Sequence, residues 1–188
     1  MVEIPLGHPR PPLPVTGPGN GAPERTGPGL LDGEREMLRA FLDYHRATLA
    51  MKCDGLSEDE LRRQSMPPSS LSLLGLVRHL AEVERTWFRR VINTEDVGLV
   101  WSADGDYQAA YDARAANEGE AFAAWRDEVS RSRAIEAAAP SLDVTGYFAR
   151  WDENVSLRLV MNHVLLEYAR HNGHADFLRE GIDGVTGA

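Results

Sequence analysis

The chain has 188 residues, a formal net charge of -9 and 43% hydrophobic residues, which suits one folded domain with a sizeable core. The acidic balance opposes nonspecific binding to nucleic acid or anionic lipid, and neither is expected as a partner. Cys53 is the only cysteine, so an internal disulfide and a CxxC metal knuckle are excluded. With no membrane-length apolar run and no basic-then-apolar leader, the expected location is a reducing cytoplasm.

Residues 1–29 interleave prolines (Pro5, Pro9, Pro11, Pro12, Pro14, Pro18, Pro23, Pro28) with glycines. Proline removes amide donors and glycine adds chain entropy, so a disordered or irregular flexible tail is expected, followed by the domain proper over 30–188. A first helix is predicted from about Asp32, read as its N-cap, to Cys53. Its stripe is Met37, Leu38, Phe41, Leu42, Tyr44, His45 and Leu49. Ser57 followed by Glu60 is a capping-box pattern that predicts a short helical turn, and Pro67 and Pro68 break the chain after it.

A second helix is expected from Ser72 to about Asn93, with Leu73, Leu76, Val77, Leu80, Val83, Trp87 and Val91 on its apolar face. After a linker containing Gly98 and Trp101, a third helix is read from Tyr107, Tyr111, Ala115, Phe122, Trp125 and Val129. Pro140 and Gly146 interrupt the chain again. A fourth helix follows from around Glu153 to Ser156 until about Glu180, with Gly181 as its C-cap. No strand-like alternation is visible. The predicted fold is all-α, a four-helix bundle.

The fourth helix carries His163, Glu167, His171 and His174. Helical residues rotate by about 100° each, so these four side chains fall on one narrow stripe beside the apolar positions Val160, Val164 and Ala175. A polar stripe facing a bundle core needs partners, because unsatisfied buried polar groups are costly. Glu167 and His171 present an oxygen and a nitrogen one turn apart, and His79, between apolar neighbours on the second helix, is the third donor. A lone Glu-x-x-x-His pair is usually solvated, and a lone core histidine usually meets a buried acceptor. It is the convergence of the three that points to a divalent metal. Zinc is the expected ion, with nickel or another transition metal as alternatives. Cys53 reads as a small buried apolar residue, since nothing ties it to a base.

From about Glu34 to Asp183 the sequence resembles the DinB-like four-helix bundles, in particular the branch that includes mycothiol-dependent maleylpyruvate isomerase. The resemblance rests on Ser72-Leu73-Leu74-Gly75-Leu76-Val77-Arg78-His79-Leu80 and on Glu167-Tyr168-Ala169-Arg170-His171-Asn172-Gly173-His174-Ala175-Asp176. In the wider family one ligand histidine lies on the second helix and a His-x-x-x-His pair on the last. The isomerase branch has Glu at the first member of that pair. Position by position, the resemblance implies His79, Glu167 and His171 as metal ligands. Gly173 matches the family glycine, and His174 stands where Gln is usual. The isomerase carries a further C-terminal domain, whereas this sequence stops soon after its last helix, so the resemblance implies the fold and the metal site rather than that one reaction.

The function expected from this resemblance is a divalent-metal-dependent transferase or isomerase that uses a low-molecular-weight, mycothiol-like thiol and a small electrophile. His174, His163 and His45 are the expected proton-shuttling residues. The alternative is a metal-binding or ligand-sensing bundle without turnover. A homodimer through exposed helix faces is compatible with either reading.

Overall fold

The periodic segments fold as helices in the computed structural model, which describes residues 25–186. Most of the tail expectation falls on residues 1–24, outside the described residues, and residues 25–29 carry no regular secondary structure. Helix α1 spans Glu34–Cys53, the short α2 Glu58–Arg62, and α3 Leu73–Glu84, which runs on as a π-helical segment Arg85–Ile92. A 3-10 turn at Tyr107–Ala110 precedes α4 at Glu118–Ala138. Strands β1 (Thr145–Phe148) and β2 (Glu153–Ser156) then lead into α5 at Leu157–Asp183. Helix α1 packs along α5, and α3 packs against α4 and α5. Leu42, Leu49, Leu76, Leu80, Met161 and Val164 fill the centre.

One polar chain crosses that apolar centre. Arg46 on α1 donates from Nε and Nη2 to the two oxygens of Glu84 on α3, at 2.8 and 2.9 Å. Tyr168 on α5 donates to Glu84 Oε1 at 2.9 Å, and Trp125 on α4 donates to the Tyr168 hydroxyl at 2.8 Å. Each of the four long helices supplies one member, and the chain leaves neither Glu84 nor Arg46 unpaired. Satisfied networks of this kind favour one packing arrangement over its competitors.

Local signals decide the element ends. The Ser57–Glu60 capping box is present, with the Ser57 amide donating to Glu60 Oε2 at 2.8 Å. Ser72 caps α3 by accepting from the Gly75 amide. Several expectations need correction. The N-cap of α1 is Gly33, because the Asp32 carboxylate accepts from the Gly29 amide upstream instead. Tyr107, Tyr111 and Ala115 lie before the third long helix, since Asn117 captures the Glu120 amide and starts α4 at Glu118. Residue Gly181 lies inside α5, and the left-handed conformation that ends the helix is at Gly184, φ 76°. Finally, Thr145–Phe148 and Glu153–Ser156 pair as an antiparallel hairpin, with Thr145 opposite Ser156.

Candidate metal centre and its cleft

The site forms where α3 and α5 face one another behind the connection that precedes α4. The Ser72 cap sets the start of α3, and His79 follows two turns on. A Cβ at position 75 would come 2.8 Å from the Tyr111 carbonyl oxygen, so glycine there admits the incoming chain. Arg78 anchors that chain by donating to the Ala109 and Ala110 carbonyls, and its guanidinium lies over the Trp101 ring at 4.3 Å. Tyr111 is thereby stacked on His79, with ring centroids 4.5 Å apart.

On α5 the four-residue spacing brings Glu167 and His171 to one face. Glu167 Oε2 lies 3.4 Å from His79 Nε2 and 3.5 Å from His171 Nε2. One donor atom from each residue falls within 4.8 Å of the others. An ion with metal–ligand bonds of about 2.0–2.1 Å in tetrahedral geometry sets its ligand atoms roughly 3.3–3.4 Å apart. Two of the three edges, at 3.4 and 3.5 Å, lie close to that spacing, and a two-histidine, one-carboxylate set could hold a divalent ion. His171 Nδ1 lies 3.2 Å from His174 Nδ1. For His171 Nε2 to offer a lone pair, its Nδ1 must carry the hydrogen, and His174 then accepts it.

Electrostatics keep Glu167 ionised and His79 neutral. Hydrogen bonds from His171 and then His79 hold the Glu167 carboxyl far below the usual carboxylate range. Burial lowers the pKa of His79, keeping its ring neutral. Burial pushes the Tyr111 hydroxyl up to about 12, so it stays a hydrogen-bond donor, 3.5 Å from His171 Nε2.

His79 and Glu167 line a cleft of about 380 Å³, within the usual range for small-molecule sites. His163 lines it too, with its ring 4.3 Å from that of Trp87 and its Nε2 3.9 Å from Glu167 Oε1. Burial lowers its pKa. His174 touches His171 but is outside the cleft wall, and burial followed by the neighbouring His171 lowers its pKa. His45 is also outside that wall. It is tied to the next residue on α5, because the Asn172 amide donates to His45 Nδ1 at 3.1 Å and to its carbonyl at 3.0 Å.

Periodicity missed several cleft residues. Tyr111 read as part of a helical stripe and Trp87 as plain core, and Phe148, Arg150 and Trp151 were given no role. Trp87, Phe148 and Trp151 form one aromatic wall, with centroid separations of 4.6, 5.5 and 4.9 Å. The one available signal was the aromatic density of Tyr147-Phe148-Ala149-Arg150-Trp151 between two turn-forming stretches.

A family model described as Mycothiol-S-transferase matches residues 37–184, a span that takes in all but the first three residues of α1, the remaining helices through α5, the cleft and all three candidate ligands. No curated protein matches the chain.

Proposed function

This chain belongs to the mycothiol-S-transferase family, and we propose that it transfers a low-molecular-weight thiol, mycothiol or a close analogue, to a small electrophile at a divalent ion held by His79, Glu167 and His171. The observation that carries this reading is the pair of 3.4 and 3.5 Å separations around Glu167 Oε2, at the wall of an open cleft. A divalent ion at that position, zinc on the donor set, supplies Lewis acidity that favours the deprotonated sulfur at neutral pH.

The chain's own groups supply the rest. His163, neutral through burial, accepts the thiol proton at the cleft wall. The sulfur forms a C–S bond to the electrophilic carbon. Either a leaving group departs with its electron pair, or, in addition to a double bond, the neighbouring carbon takes the proton back from His163. Tyr111, protonated and beside His171, lines the cleft and offers a hydrogen bond there. Trp87, Phe148 and Trp151 exclude water from the electrophile's side and offer it flat apolar contact.

The test combines metal analysis with turnover. Native protein without a histidine tag should hold one divalent ion per chain after reconstitution and should consume mycothiol in the presence of 1-chloro-2,4-dinitrobenzene or another reactive electrophile. His79→Ala, Glu167→Ala and His171→Ala should lose both properties. A stoichiometric metal without thiol consumption across a panel of electrophiles would favour a binding protein instead, and no metal in the wild type would overturn the reading.

A further inference from the structure

A second lobe of about 240 Å³ adjoins the cleft beside the metal centre, and Thr86, Tyr107, Phe148 and Arg150 line both as a common waist. The lobes differ in chemistry. The near lobe holds His79 and Glu167 and is walled by Trp87 and Trp151. The far lobe is bordered by Arg90, Glu95, Asp96 and Tyr147. We propose that the far lobe seats the polyhydroxylated body of the thiol, while its sulfur passes the waist to the metal centre and the electrophile occupies the aromatic near lobe. This inference rests on the thiol-transfer reading above.

Three observations carry it. First, some polar groups around the waist and far lobe have no hydrogen-bond or ion-pair partner among the described residues. Thr86 is 6% exposed, borders both lobes, and its buried hydroxyl has no hydrogen-bond partner among the described residues. The side chains of Asp96 and Arg150 make no hydrogen bond or ion pair among the described residues. An orphaned buried hydroxyl is costly unless a ligand or water completes it.

Second, the charges are mixed. Asp96 and Glu95 would repel an anion, and Arg90 and Arg150 would repel a cation. A neutral ligand whose hydroxyls both donate and accept satisfies both kinds of group. Arg89 already engages Glu95 at 2.7 Å, and Arg90 already donates to the Tyr107 hydroxyl at 3.1 Å, so those two are held in place to receive it.

Third, the far lobe has aromatic faces as well as polar groups. Tyr147, 51% exposed, is fixed by donating its hydroxyl to Asp152 at 2.6 Å, and Tyr107 is held by Arg90. The electron-rich face of an aromatic ring suits the C–H face of a sugar or cyclitol ring. Two substrates must also meet at one centre. A cleft with one polar and one aromatic compartment on either side of a waist gives each its own place.

The test uses metal-loaded wild type, Asp96→Ala and Tyr147→Ala. Both sites are exposed and lie outside the catalytic machinery. With mycothiol and 1-chloro-2,4-dinitrobenzene, each variant should raise the KM for mycothiol about tenfold and leave the KM for the electrophile unchanged. With N-acetylcysteine, the thiol fragment that lacks the sugar body, variants and wild type should react at the same rate. An unchanged KM for mycothiol in both variants, or a rise confined to the electrophile, overturns the assignment. If wild type turns over no thiol, the transfer reading has failed, and the lobe is judged on calorimetry with mycothiol alone. Binding weakened about tenfold in both variants supports it, and equal binding or none refutes it.

Discussion

Glu167 Oε2 sits 3.4 Å from His79 Nε2, a contact between two residues 88 positions apart on different helices. Without an ion it is a weak, long hydrogen bond between groups that are mostly desolvated. With an ion it becomes one edge of a coordination polyhedron. Saturating divalent metal should therefore stabilise the protein well beyond what that hydrogen bond contributes. At an ion concentration of about 100 times Kd the gain is about 2.7 kcal/mol, a rise in Tm of roughly 5–10 °C for a chain of this size. Differential scanning calorimetry with and without chelator checks this. Glu167→Ala should abolish the metal-dependent rise, and a wild-type Tm indifferent to zinc and nickel would contradict the site.

His174 should tune the centre from behind. Its Nδ1 faces His171 Nδ1 at 3.2 Å, so it accepts the hydrogen that His171 must carry there when Nε2 is the ligand atom. His174→Ala should weaken metal affinity by about 10- to 100-fold, the usual effect of losing a partner behind a ligand. His174→Gln restores an acceptor and should recover much of it. Competition titrations with a chromophoric chelator give both numbers.

The helices and the candidate triad were legible to different degrees. Glu167 and His171 share a face because helical rotation dictates it, and the Ser57–Glu60 and Ser72 caps announce themselves through side chains that can reach a nearby amide. The approach of His79 is a tertiary fact that periodicity cannot supply; its place between apolar neighbours made it a candidate donor, and the family resemblance added its partnership with Glu167 and His171. The hairpin was invisible because four-residue strands are too short to display alternation, and the pairing of Thr145 with Ser156 is a contact across a loop. Tyr111 carried the helical spacing of its neighbours, yet Asn117 starts α4 after it, and Arg78 draws its segment over His79. Charge in the core was equally hidden, since the burial of Arg46 and Glu84 depends on helices meeting.

That buried chain should dominate the stability of the bundle. Arg46 and Glu84 are 4% and 0% exposed and hydrogen-bond through both carboxylate oxygens. Arg46→Ala leaves the Glu84 carboxylate buried without a cation and should cost about 3–5 kcal/mol, whereas Glu84→Ala leaves Arg46 its ion pair with Asp43 at 2.9 Å and should cost less. Tyr168→Phe removes only a hydroxyl between Trp125 and Glu84 and should cost about 1–3 kcal/mol. Urea unfolding followed by circular dichroism separates the two classes, and equal small losses would mean that the chain contributes little.

Acid should destabilise the metal-free protein before its carboxylates titrate. Burial lowers the pKa of His45, His79 and His163, and burial followed by the nearby His171 charge lowers that of His174. Unfolded, each titrates near about 6.5. The unfolded chain therefore binds more protons between the folded and unfolded values, and stability rises with pH through that window. The contribution is complete above about 6.5 and is lost as pH falls through the folded values. Glu167, also lowered, acts in the same direction at still lower pH. The Tm of chelator-treated protein should fall as the pH is lowered from about 7.5 to about 5.5. A flat profile would show that these rings titrate normally.

Cys53 should play no part in thiol transfer. It sits at the end of α1, 5% exposed, and burial pushes its thiol up to about 12, so it is protonated and shielded at working pH. In the native protein Ellman's reagent at pH 8 should react slowly or not at all, whereas denatured protein should release one equivalent. Cys53→Ala should keep thiol-transfer activity within about twofold of wild type and lose about 1 kcal/mol of stability from packing. A large loss of turnover in that variant with stability preserved would instead assign the sulfur chemistry to the protein's own cysteine, and would remove the reason for an external thiol in the cleft.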